Sequence, residues 1–228
     1  GYIVMEFVKG ELLNDVIGKM SKKRLENVYH EMGDVLSELH SFRMSGFGRL
    51  EFSGDRPKIV ESYSNVRKLV YEKYMDWIEK GLDTPFRNYV PELKNWLKEE
   101  IRLFDGTVDP CLTHNDFSPN NIIVNKKGEI EAVLDWDNLR SGDPVADLYR
   151  VRSEHTESFR EAGDSFYQAY DRALPEKLQK RIDFYTESHI LAYLDCWPQI
   201  KTNYDQEQLE NMKTRIKEGI ERLIAQKF

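Results

Sequence analysis

The stretch Thr113–Asp137, THNDFSPNNIIVNKKGEIEAVLDWD, decides how this chain reads. His114, Asp116 and Asn121 fall in the order HxDxxxxN, Pro119 stiffens the loop, and the apolar run Ile122, Ile123, Val124 starts at once afterwards. A polar loop therefore runs straight into a buried strand. Asn125-Lys126-Lys127-Gly128 then reads as a turn with glycine last, and Ile130, Ala132, Val133 and Leu134 as a returning strand with Glu129 and Glu131 alternating outward. The strands of such a hairpin run antiparallel, so Asn121 at the start of the first and Asp135 at the end of the second return to the same end of the ribbon. The spacing predicts that Asp116, Asn121 and Asp135 converge.

Phosphoryl transfer asks a protein for a positioning carboxylate, oxygen ligands for Mg²⁺ and a frame that holds the phosphates in line. The trio supplies the first two. Magnesium prefers hard oxygen donors and takes one or two side chains plus substrate phosphates, which suits Asn121 and Asp135. Asp116 is left to orient an acceptor hydroxyl and take its proton. His114, two residues before the carboxylate, can brace the loop through backbone carbonyls and reads as a structural support. The plainer reading of the same residues is an acidic surface loop with a capping Asp and turn asparagines.

The segment resembles the catalytic loop and metal-binding segment of the aminoglycoside phosphotransferase and choline kinase-like family, small-molecule relatives of the protein kinases. That resemblance implies Asp116 as catalytic base, Asn121 and Asp135 as magnesium ligands, and a GDPxxDL stretch, here Gly142-Asp143-Pro144 with Asp147-Leu148. Protein kinases share the loop but carry Phe and Gly after the metal-binding Asp and a later Ala-Pro-Glu. This chain has Trp136 and Asp137 there and no Ala-Pro-Glu. Tyr2–Gly10 resembles the strand and linker between the two lobes of these kinases. By position, the Glu6 carbonyl and the Val8 amide would bond an adenine ring and Met5 would back it, with ATP or GTP as donor. An apolar run of this kind is also what a plain core strand looks like.

The resemblance implies an α+β, mostly helical fold, a protein-kinase-like C-terminal lobe with a short β-hairpin at the catalytic site. The smaller lobe lies upstream of the linker in that family, and neither Gly18-Lys19-Met20-Ser21 nor Gly46-Phe47-Gly48 has the glycine spacing of a phosphate loop. The expectation is a piece of a longer protein. Residues 1–10 would be the linker strand, 11–52 and 105–153 the core with the catalytic loop, and 53–104 and 154–228 the helical acceptor-binding part.

The 228 residues carry 33 basic against 40 acidic side chains, a net charge of −7 without basic clusters, which argues against nucleic acid or an anionic membrane as partner. An acidic face would favour a cationic acceptor, consistent with amines such as aminoglycosides or choline. The partners expected are a nucleotide and a small-molecule acceptor, with no oligomer indicated. Cys111 and Cys196 form no metal or redox spacing and read as ordinary buried thiols in a reducing, cytoplasmic setting. No stretch is apolar over the length of a membrane span.

Leu25, Val28, Met32, Val35, Leu36 and Leu39 repeat at helical spacing after Ser21, a plausible cap, up to His40 and Ser41. His30 and His40 read as helix-surface or helix-end residues. The spacing predicts a connector over Gly46–Pro57, then helices over Val66–Ile78 and Leu93–Leu103 separated by Gly81, Pro85 and Pro91. Tyr74, Trp77, Tyr185, Tyr193 and Trp197 could wall a cation pocket, although aromatics at helical spacing are usually core. Leu209, Met212, Ile216, Ile220, Leu223 and Ile224 mark a closing packing helix. Beside a phosphotransferase, two readings stay open: a catalytically impaired kinase-like binding module, and a metal-dependent hydrolase, which would need further His or carboxylate ligands.

Overall fold

A computed structural model describes residues 6–53, 56–106, 108–153, 156–174 and 176–228. In chain order come β1 (Glu11–Leu12), α1 (Leu13–Val16), α2 (Lys22–Ser41), β2 (Phe47–Ser53), β3 (Arg56–Tyr63), α3 (Val66–Lys80) and α4 (Val90–Glu100). Then follow β4 (Cys111–Thr113), β5 (Ile122–Val124), β6 (Ile130–Val133), β7 (Arg140–Gly142), α5 (Val145–Ser153) and α6 (Thr156–Ala169). The last helices are α7 (Leu178–Ser188), α8 (Ala192–Asp195), α9 (Trp197–Asn203) and α10 (Gln206–Ala225). The fold is mostly helical α+β, and no helix among the described residues is long and apolar enough to cross a membrane.

The chain divides into two compact units, Gly1–Ser62 with Asp109–Pro175, and Tyr63–Val108 with Glu176–Phe228. In the first, α2 starts after Ser21 and buries Leu25, Val28, Met32, Leu36 and Leu39, the i, i+3, i+4 stripe a core-facing helix needs. It packs on α6, where Ala162, Phe166 and Ala169 are buried. The approach is close enough that a Cβ on Gly33 would lie 2.4 Å from the Phe166 carbonyl oxygen. Residues 53–62 and 156–174, expected with the helical acceptor-binding part, belong to this first unit, because β3 extends a sheet here and α6 covers α2.

Two small sheets complete the unit, one in the order β1-β5-β6 and one in the order β3-β2-β7-β4. The expected connector Gly46–Pro57 is thus corrected to strand over most of its length. Its glycines and proline hid two strand segments, with Phe47 and Leu50 buried and Arg49 and Glu51 exposed. The hairpin of the catalytic segment is antiparallel as read, pairing Ile122 with Val133 and Ile123 with Ala132, with a bulge before Val124. The Glu31 carboxylate on α2 accepts the Ile130 N–H, which ties the free end of the ribbon to the helix.

The second unit is helical around an aromatic core. Phe184 lies 5.0–5.9 Å from the ring centres of Tyr74, Trp96, Phe104, Tyr185 and Phe228. Tyr74, Tyr185 and Trp197 are buried, so the core reading holds for those three aromatics, while Trp77 and Tyr193 are half-buried. Pro91, read as a separator, sits in the first turn of α4, where its missing N–H removes no helical bond. The closing helix α10 begins with a capping box, Asp205 and Gln208 satisfying each other's backbone amides, and buries Ile216, Gly219, Ile220 and Leu223.

Candidate active site

Strand β4 ends at Thr113 and delivers the loop His114–Ser118 from a wholly buried base, since Thr113, His114 and Phe117 have no exposed surface. The loop closes on itself through Ser118 N–H to Asp116 O at 2.8 Å and Asn121 N–H to Ser118 O at 2.9 Å. Pro119 opens the single 3₁₀ turn that leads into β5. Asp116 and Asn121 remain partly exposed at the mouth of this turn.

Both oxygens of Asp116 are held. Asn121 Nδ2 donates to Oδ2 at 3.0 Å and to the Asp116 carbonyl at 2.9 Å. Arg150 Nη2 on α5 lies 3.1 Å from Oδ1. Because both partners of the Asn121 nitrogen are acceptors, that atom must be the NH₂, which leaves Oδ1 as the acceptor end of the amide. Two groups thus fix the rotation of the carboxylate, and the second bond of the Asn121 amide fixes the backbone behind it.

His114 joins this loop to the end of the ribbon. Its Nδ1 accepts the Asp116 N–H at 3.2 Å, so its Nε2–H donates to the Leu134 carbonyl at 2.9 Å. Leu134 N–H in turn donates to the Asn121 carbonyl at 2.7 Å. Asp135 follows directly, exposed, at φ 57°, in the left-handed region that Asn and Asp tolerate best. The structure thus brings Asp116 and Asn121 into contact and sets Asp135 one residue beyond the rung that ties Leu134 to Asn121. Glu6 is exposed and Val8 half-buried on the segment entering β1, whereas Met5 lies outside the described residues.

The support beneath the loop was only partly legible. Asp143 lies just before α5 and accepts the Val145 N–H at 3.1 Å, with Pro144 between them. One turn on, Asp147 is fully buried and accepts His114 N–H at 2.9 Å and Asn115 N–H at 2.7 Å. Asn115 is held at φ 64°, a conformation costing about 1 kcal/mol that persists because the surrounding bonds over-determine it. Of the two readings of His40, helix surface or helix end, the second holds: it lies in the last turn of α2, buried at 2% exposure, with Nε2 3.0 Å from Asp147 and Nδ1 2.8 Å from the Tyr170 hydroxyl. Gly142 is needed where β7 meets β4, since a Cβ there would lie 2.7 Å from Thr113 Oγ1. The sequence signal for Asp147 and Arg150 was the helix start at Asp143-Pro144, which puts residues one and two turns on along one side of α5.

Among the described residues no three His, Cys, Asp or Glu side chains gather as metal ligands. The donors that fit a hard cation are the Asn121 amide oxygen and the Asp135 carboxylate, two ligands of the kind magnesium completes with phosphate and water. The free cysteines do not contribute. Cys111 is buried and burial pushes its thiol ionisation up, while Cys196 is exposed, contrary to its reading as a buried thiol.

A loop carboxylate clamped by its own asparagine, with an acid-ended ribbon beside it in a mostly helical α+β chain, belongs with a kinase-like fold. The model of the phosphotransferase enzyme family (APH) matches residues 1–184, and the chain belongs to that family. Among solved structures, ADP-bound aminoglycoside phosphotransferase APH(2'')-Ib is 20% identical with a TM-score of 0.61, the match covering 96% of this chain and 69% of that one. The GDP complex of aminoglycoside 2'-phosphotransferase-IIIa is 11% identical at 0.59, covering 95% and 69%. These likenesses carry the fold. Acyl-CoA dehydrogenase family member 11 of Mus musculus is 25% identical over 162 residues, 64% of this chain but 18% of the relative's own length.

Proposed function

We propose that this chain transfers the γ-phosphoryl group of ATP or GTP to a hydroxyl of a small molecule. The observation that carries the reading is the two-sided grip on Asp116, Asn121 at one oxygen and Arg150 at the other. A carboxylate so oriented can accept the acceptor's proton as its hydroxyl oxygen bonds to the γ-phosphorus. The bond from phosphorus to the β–γ bridging oxygen breaks, and the nucleoside diphosphate leaves with that electron pair. Asn121 Oδ1 and Asp135 are the residues that would hold Mg²⁺, which when bound offsets the charge of the phosphates. Glu6, Met5 and Val8 are proposed for the purine by their place before β1. The nucleotide donors follow those named in the ADP- and GDP-bound neighbours. The acceptor is proposed to bind within residues 53–104 and 154–228, the part read as acceptor-binding in the sequence. The aminoglycoside phosphotransferases among the neighbours, together with the net charge of −7, favour a cationic hydroxyl compound.

The test is calorimetric titration of the full-length protein with Mg²⁺ and ATP or GTP, followed by assay of diphosphate release against a panel of aminoglycosides and choline. Metal-dependent binding that Asp135→Ala weakens at least tenfold is expected. Unchanged metal-dependent binding in that variant would remove Asp135 from its role, and no release with any hydroxyl acceptor would remove the phosphotransferase reading.

A further inference from the structure

Three groups buried in the first unit have no place in the transfer chemistry and yet form one chain ending under the catalytic loop. The Tyr170 hydroxyl lies 2.8 Å from His40 Nδ1, His40 Nε2 lies 3.0 Å from Asp147 Oδ2, and Asp147 accepts the amides of His114 and Asn115. We propose that His40 and Tyr170 are positioning residues for phosphoryl transfer, which hold Asp147 in the one orientation that fixes the His114–Asp116 backbone. The proposal rests on the phosphotransfer reading above.

Asp147 Oδ2 takes two donors, the His40 ring and the His114 amide, while Oδ1 takes the Asn115 amide. Rotation of the carboxylate would break all three bonds together. Buried, it has no water to replace them, so the side chain is held by whichever donor is itself most firmly seated. His40 is the one donor of the three that lies outside the loop. It stands in the last turn of α2, its ring meets Tyr170 edge-on at 5.7 Å, and the Tyr170 ring stacks on Phe166 at 5.7 Å and 10°. A hydroxyl proton donated to Nδ1 leaves the ring's own proton on Nε2, facing Asp147. Burial pushes the ionisation of Tyr170 up, so the hydroxyl keeps that proton. The chain thus runs from α6, which follows the site in sequence, through α2, which precedes it, to the strained Asn115 next to the reacting carboxylate.

Tyr170→Phe removes the hydroxyl and keeps both ring contacts. His40→Leu removes the donor to Asp147, and His40→Gln restores an N–H near the Nε2 position. In His40→Leu, amide hydrogen exchange at His114 and Asn115 should quicken about tenfold relative to Ile123, with partial return in His40→Gln. The kcat should fall about tenfold in His40→Leu and less in Tyr170→Phe, with the nucleotide KM held, because an interaction felt by the reacting carboxylate and not by the bound nucleotide is being loosened. Unchanged exchange at the two amides in His40→Leu, or a kcat loss that His40→Gln does not relieve, would overturn the proposal. Should His40→Leu fail to fold, unchanged Asn115 exchange in Tyr170→Phe overturns it. If the wild-type protein turns over no acceptor, the phosphotransfer reading fails while the exchange measurement still decides whether the chain orders the loop.

Discussion

At the scale of single residues, the site separates groups that would meet the substrate from groups that hold them. Asp116 is the partly exposed carboxylate of the loop, gripped at both oxygens, and Asp116→Asn should lower kcat about a thousandfold with the nucleotide KM little changed, as removal of a general base does. A steady-state assay of diphosphate release checks it, and a variant within about tenfold of wild type would move the base elsewhere. Asp147 belongs to the second class. Asp147→Asn puts an NH₂ or a single carbonyl where three donors converge, and should cost about 3 kcal/mol, read as a fall in melting temperature of roughly 2–4 °C per kcal/mol. The contact of Asp116 with Asn121, and the return of the ribbon that sets Asp135 one residue past the Leu134–Asn121 bond, were legible in the sequence because these residues sit at short offsets along one loop and one ribbon. The second class was legible only in part: His114 reads as a brace, but His114 and Asp147 stand 33 positions apart and His40 and Asp147 107, and no local spacing reports such a meeting.

At the scale of elements, what could be read depended on whether the pattern was carried by side-chain period or by backbone exceptions. The stripe of α2 and the caps of α10 announce themselves through the 3.6-residue repeat and the Asp205–Gln208 pair. β2 and β3 did not, because glycine and proline, which usually break a pattern, stand inside or beside them. The packing of α2 on α6 gives a direct test. Gly33→Ala places a methyl 2.4 Å from the Phe166 carbonyl oxygen and 2.9 Å from the Ala169 Cβ, a backbone clash that no rotamer relieves. A loss of about 1–3 kcal/mol in denaturant unfolding is expected, and a neutral result would mean that the helices part without cost. The two cysteines make a second test, Cys111 lying within β4 and Cys196 on the surface. Burial raises the ionisation of Cys111, so at pH 8 a thiol reagent should label Cys196 alone in the native protein and both after unfolding. Native labelling of Cys111 at a comparable rate would show that β4 opens readily.

At the scale of the whole molecule, neither compact unit is continuous along the chain. Each is assembled from two segments, so a division drawn from motif positions alone does not coincide with the compact units at 56–62 and 156–174. Composition could not mark the boundary, because both units draw on the same mixture of charged and apolar residues. What distinguishes them is the kind of core. The first mixes aliphatic side chains of α2 with Tyr29 and Phe166 beside a buried polar brace, and the second gathers five aromatic rings about Phe184, which is fully buried. Truncating that ring leaves a cavity ringed by Tyr74, Trp96, Phe104, Tyr185 and Phe228, none of them able to shift without breaking a neighbour's contact. Phe184→Ala should therefore cost about 3–5 kcal/mol, the range for an aromatic removed from a close-packed site. The loss should be local: amide protection should fall throughout α3, α4 and α7 while α2 keeps its own, as expected of units that open separately. Equal loss of protection in α2 would show that the chain unfolds as one cooperative body, and the two-unit description would then hold for geometry but not for stability.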